Sequence, residues 1–161
     1  MMPEVLKKIA ALLPALENDY IEIEFIDPDS PDEIQLGYRV NSMNGQDITG
    51  IGDGEWHPDW YVIAYDAGNP FFVNISEADK AFPVYTAEHG AATWQPEEVC
   101  LSVDGFAKTL MLIDKISSDG PIPMNEMMKK IAQYTSFPDF WRDFIEGVND
   151  ALEDSGDDFS R

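Results

Sequence analysis

Residues 60–75 constrain the fold more tightly than any other stretch of the chain. Trp60-Tyr61-Val62-Ile63-Ala64-Tyr65 and Pro70-Phe71-Phe72-Val73-Asn74-Ile75 are two runs of strand length, rich in aromatic and β-branched residues. Asp66-Ala67-Gly68-Asn69 lies between them and consists mostly of turn-forming residues. Two such runs joined by so short a turn predict an antiparallel hairpin. Residues 82–87 predict a third strand, and 96–101 a short edge segment.

On either side of this block the hydrophobic period changes. Residues 3–16 predict a helix, because Val5, Leu6, Ile9, Leu12 and Leu13 recur at helical spacing, Pro3 suits a first turn and Pro14 lies near the end. Ile21, Ile23 and Phe25 then alternate with Glu22 and Glu24, the two-residue period of a half-buried strand. Ile34, Leu36, Tyr38 and Val40 alternate again, so 21–25 and 34–40 read as a second hairpin. The competing reading is a short helix at 31–38, because Ser30-Pro31-Asp32-Glu33 also matches a capping box. Residues 41–59, rich in Gly, Asn and Asp, read as a long loop.

The remainder reads as helical. Val103, Phe106, Leu110 and Ile113 form one apolar stripe, and Met124, Met127, Met128, Ile131 and Tyr134 a second. Phe140, Trp141, Phe144, Ile145, Val148 and Leu152 form a third, with Ser136-Phe137-Pro138-Asp139 as its cap. Strands first and helices later predict an α+β chain: an antiparallel sheet with helices packed on one face and a C-terminal helical extension. One domain over residues 1–155 and an acidic tail over 156–161 are expected, with no internal repeat.

Charge narrows the function. Ten Lys and Arg stand against thirty-one Asp and Glu, a formal net charge of −21. Such a surface repels phosphate backbones and anionic lipid, so neither nucleic acid nor membrane is an expected partner. A basic protein is the natural complement. The surplus is uneven: from Pro14 to Trp60 twelve acidic residues face only Arg39, a net of −11, and residues 138–161 carry eight more against Arg142 and Arg161. Cys100 is alone, no apolar run reaches the length of a membrane span, and residues 1–16 lack a secretory h-region. A reducing, cytoplasmic setting is therefore expected.

Candidate chemistry is sparse. Asp53-Gly54-Glu55-Trp56-His57-Pro58-Asp59 places three carboxylates and an imidazole together, but without the glycine and ligand spacing of a calcium loop. The glycines at 50, 52 and 54 match neither a dinucleotide fingerprint nor a P-loop. Cys100 reads as a structural thiol, His89 has no serine or cysteine near it in sequence, and the methionines read as core. No catalytic residue, metal, cofactor or small-molecule substrate is expected.

From about residue 50 to 112 the order of features resembles the SUKH superfamily, which includes the yeast Smi/Knr cell-wall regulators and many bacterial immunity proteins. The carrying residues are Trp60 to Asp66, the Gly68 turn, Pro70 to Asn74, Pro83-Val84-Tyr85, His89-Gly90, and Phe106 with Leu110. Leu13-Pro14 and Asn44-Gly45 also occur, separated by an acidic stretch that departs from the family pattern. The resemblance implies binding rather than catalysis, since bacterial members look like antidotes to toxins that are often nucleases. It implies mainly structural roles for the matched residues Trp60, Asp66, Gly68, Tyr85 and His89: core area for Trp60, a turn hydrogen bond for Asp66, the turn itself for Gly68. The leading expectation is a toxin-neutralising immunity protein that grips a basic toxin domain through Glu22, Glu24, Asp27, Asp29, Asp32 and Glu33. The alternatives are a regulatory interaction domain of the Smi/Knr type and, from another class, a metal-dependent hydrolase using His57 and His89.

Overall fold

The computed structural model describes residues 2–159, with side chains through residue 154. Its centre is the hairpin of β2 (Trp60–Asp66) and β3 (Asn69–Asn74). Ala67 and Gly68 both take positive φ, 49° and 90°, the primed-turn geometry whose twist suits adjoining antiparallel strands. Three further strands complete a five-stranded antiparallel sheet in chain order: β1 (Ile23–Phe25), β4 (Val84–Thr86) and β5 (Glu97–Cys100). The fold is α+β, as the element order predicts. β4 starts two residues later than expected, because Ala81 and Phe82 both sit at φ 57° and Pro83 follows.

The helices follow the apolar stripes. α1 (Val5–Leu12) is shorter than the expected 3–16, because Leu13 precedes Pro14 and is driven into an extended conformation, with ψ 142°. α2 (Val103–Ser117) is capped by Ser102, whose hydroxyl accepts from the Gly105 amide at 3.0 Å. α3 (Met124–Ile131) and α4 (Pro138–Phe159) follow. α4 carries the backbone of the expected acidic tail as far as residue 159; its side chains from 155 on, and residues 160–161, lie outside the described residues. No helix among the described residues is long and apolar enough to cross a membrane.

All four helices pack on one face of the sheet. Leu6, Ile9, Phe106, Leu110, Ile113, Met127, Ile131, Trp141 and Ile145 meet Ile63, Phe71, Val73, Val84 and Val99 there. β5 is sealed from beyond the sheet: Cys100 bridges to Thr135, and the Trp141 indole donates to the Val99 carbonyl at 2.8 Å. The opposite face is covered by loops around Trp56, Val62, Phe72 and Ala87, with Tyr38, Trp60, Tyr85 and Trp94 packed at its margin. A bulge between Val62 and Ala64 sorts the two faces, sending Ile63 and Ala64 to the helices and Val62 to the loops.

Two expectations fail here. Residues 34–40 are not a strand and make no hairpin with 21–25. β1 pairs instead with the far half of β2, Ile23 opposite Asp66 and Phe25 opposite Ala64, while Glu33–Gln35 form a single 3-10 turn. Alternation sets which side chains face inward, but not which strand is the partner. The shorter helical reading of 31–38 is nearer, although the Asp32 side chain makes no cap. The second failure is Trp60, which is only half-buried; the tryptophan filling the loop-side core is Trp56, at 1% exposure.

Candidate protein-interaction surface

The acidic stretch is held on the sheet by side chains rather than by a backbone ladder. Beyond β1 the edge of β2 would leave the Val62 backbone groups unpaired. Gln35, 1% exposed, takes both: its amide donates to the Val62 carbonyl at 2.8 Å and accepts from the Val62 amide at 2.9 Å. Arg39, the only base between Pro14 and Trp60, donates to the carbonyls of Pro58 and Trp60 and lies 3.8 Å over the Tyr61 ring. The Trp56 indole donates to the Trp60 carbonyl at 3.0 Å. Arg39 therefore makes its hydrogen bonds to the backbone; its charge also helps, after the Thr49 hydrogen bonds, to hold the Asp47 carboxyl below its ordinary pKa.

All six predicted contact residues are exposed. Glu22 and Glu24 point to solvent while Ile21 and Ile23 are buried, as their alternation predicts. Glu24 accepts a hydrogen bond from the Tyr65 hydroxyl, which holds the phenol above its ordinary pKa. Asp27 accepts from the Asp29 amide at 2.8 Å, an Asx turn that orders the loop. Asp32 and Glu33 open the 3-10 turn that delivers Gln35. The ion pairs among the described residues, Lys80 with Glu77, Lys108 with Asp104 and Arg142 with Asp139, are local, and none involves a carboxylate of residues 17–59.

The structure adds residues that sequence reasoning missed. A hollow of about 370 Å³ is lined by Asp19, Glu22, Asp66, Asp143 and Phe144. It shares Asp19, Tyr20 and Glu22 with a wider one running to Asp114 and Ser118. The two acidic concentrations, far apart in sequence, thus meet where β1 faces α4. Asp66 does not close the turn: no turn donor among the described residues reaches its carboxylate. Burial first, and Glu22 second, push its pKa up. Only the three-dimensional approach of β1, β2 and α4 could reveal this cluster.

The other matched positions make local contacts. A Cβ on Gly68 would stand 3.0 Å from the His89 ring, and the Tyr38 hydroxyl donates to the Gly68 carbonyl at 2.6 Å. Asn69 Oδ1 accepts from the His89 amide at 3.0 Å and lies 2.6 Å from its Nδ1. Trp60 and Tyr85 both pack on Phe72, with ring centroids 5.2 and 5.9 Å away, and Tyr85 donates to Glu77 at 2.8 Å. His57 accepts from the Asp59 amide at 3.0 Å. Cys100 is buried and its pKa is raised by desolvation, whereas His89 is exposed. Met127 is buried and Met124 and Met128 are half-buried against the helix-side core, so they do not form a free contact surface. Among the described residues no group of three or more His, Cys, Asp or Glu is arranged to hold a metal ion.

Comparison with family models, with curated proteins and with solved structures returns no match.

Proposed function

We propose that this chain is a cytoplasmic immunity protein that neutralises a basic toxin domain, a nuclease being the type whose charge fits best, by occupying its cationic cleft. The observation that carries the reading is the unpaired acidic surplus. Twelve carboxylates between Pro14 and Trp60 have one base among them, and that base is spent on backbone carbonyls. Placed close together, these groups repel one another beyond the few local turn hydrogen bonds they make; a basic partner relieves the repulsion. A nuclease must be basic to approach phosphate, so an acidic protein competes with its substrate for the same surface. The resemblance to SUKH immunity proteins supports the same reading, and under it the protein acts by binding rather than catalysis.

The test is the product of the reading frame adjacent to this one. It is expected to be basic, to kill cells when expressed alone, and to be harmless when this chain is co-expressed. Changing Glu22, Glu24, Asp29 and Asp32 together to Gln and Asn is expected to leave the fold intact, with a thermal melt no lower than that of the wild type. Association with that partner should slow by about tenfold or more at low salt, with a flatter salt dependence. A non-toxic neighbour that forms no complex would remove the immunity reading, and an unchanged association rate would remove the acidic surface from it.

A further inference from the structure

Half of the large apolar side chains left exposed among the described residues come from one short stretch. Met43 is 91% exposed, Ile51 86%, Leu36 48% and Ile48 45%, against Leu12, Tyr20, Leu101 and Met111 in the rest. Singly exposed apolar residues are ordinary, but four so close together in the chain single out this segment for closer inspection. This stretch is tied together by hydrogen bonds. Residues 39–48 form a small hairpin: Val40 bridges to Asp47, the Asn41 amide donates to the Gln46 carbonyl at 2.8 Å, and the Ile48 amide to the Arg39 carbonyl at 2.9 Å. Met43 sits at its tip, where its amide donates to Asn41 Oδ1 at 2.8 Å. Ile51 lies in a loop closed by the Gly50 amide, which donates to the carbonyl of buried Trp56 at 2.8 Å. A backbone already held in this way loses little freedom on binding, so the cost falls mainly on the side chains.

The charge around them selects the occupant. Asp47 is exposed within the stretch and Asp32, Glu33, Asp53 and Glu55 on its flanks, while its one Lys or Arg, Arg39, is hydrogen-bonded to the backbone. A second copy of this chain would bring another −21 to the contact. We propose that the 36–51 loop is a docking element for a protein surface rich in Lys and Arg that carries an apolar hollow, with Met43 and Ile51 as the anchors. The inference rests on the basic-partner reading above and adds a division of labour: carboxylates set how fast the partner arrives, and the apolar tips set how long it stays.

Two synthetic probes of equal length and charge separate these roles, an amphipathic Lys/Leu peptide and a Lys/Ser peptide, each titrated into the full chain labelled with nitrogen-15. The Lys/Leu peptide is expected to bind about tenfold or more tighter. Its amide shifts should centre on residues 40–52. The double change Met43→Ser and Ile51→Ser should abolish that advantage while leaving Lys/Ser binding and the thermal melt unaltered. Equal affinities, an advantage that survives the double change, or shifts centred on residues 22–33 for both peptides would overturn the docking element while leaving the acidic surface standing. A Lys/Leu advantage with no salt dependence would support the element and sink the acidic reading beneath it. Failure of both peptides to bind would sink both. A dimer of the chain alone, dissolved by the double change, would make the occupant a second copy and overturn the proposal.

Discussion

Asp66 shows at a single residue what the acidic surplus does. Burial and the nearby Glu22 hold its carboxyl above the ordinary carboxylate range, so the folded chain binds that proton more tightly than the unfolded chain does. The stability linked to the proton is fully present below the ordinary carboxylate pKa and is lost as pH rises through the raised folded value. Asp66→Asn is therefore expected to raise the urea midpoint at pH 7, and the gain should fade as the pH is lowered towards 4. An unchanged midpoint at pH 7 would place the carboxylate in open solvent. Sequence offered no route to this residue's setting, since Glu22 and Asp143 reach Asp66 only through the packing of β1 and α4. Trp56 was hidden for a similar reason. It lies in a loop whose composition reads as solvated, while Trp60 opens an apolar run; only the fold reveals that Trp56 covers the sheet.

The elements that could be read from sequence are those whose pattern contains its own pairing. β2 and β3 are adjacent in the chain, their turn carries Gly68, and their register next to the turn follows from it, up to the bulge before Ala64. The stripe of Val103, Phe106, Leu110 and Ile113 likewise defines both α2 and the face it buries. β1 could be read as a strand, but its partner could not, because alternation is silent on neighbours. The hold of Gln35 on Val62 is the least legible feature, since a side-chain amide standing in for a strand leaves no periodic trace. It is also testable. Gln35→Leu keeps the volume but strands a buried N–H and a buried carbonyl, and is expected to cost about 2–5 kcal/mol in urea denaturation. The Val62 amide should lose its protection from hydrogen exchange in the same variant; protection equal to wild type would mean that another group closes the edge of β2.

For the molecule as a whole the charge is a standing load. A net −21, with local ion pairs only among the described residues, leaves long-range repulsion that compactness makes worse. Raising sodium chloride from about 0.02 to about 0.5 M shortens the screening length from roughly 20 to roughly 4 Å. The melting temperature is expected to rise over that range, most steeply at its lower end, as calorimetry can check. A melting temperature indifferent to salt would mean that the carboxylates are too well hydrated to burden the fold.

The mounting of the acidic stretch has a consequence for how such a chain can evolve. Gln35, Arg39 and Trp56 fasten residues 26–59 to β2 largely through side chains, and no regular strand of the sheet runs through those residues after β1. Between Arg39 and Trp56 no strand of the sheet runs, so exchange, insertion or loss there leaves the strand register in place. A lineage that keeps those three positions and Tyr38 can redraw the exposed surface above the sheet while the scaffold beneath is inherited unchanged.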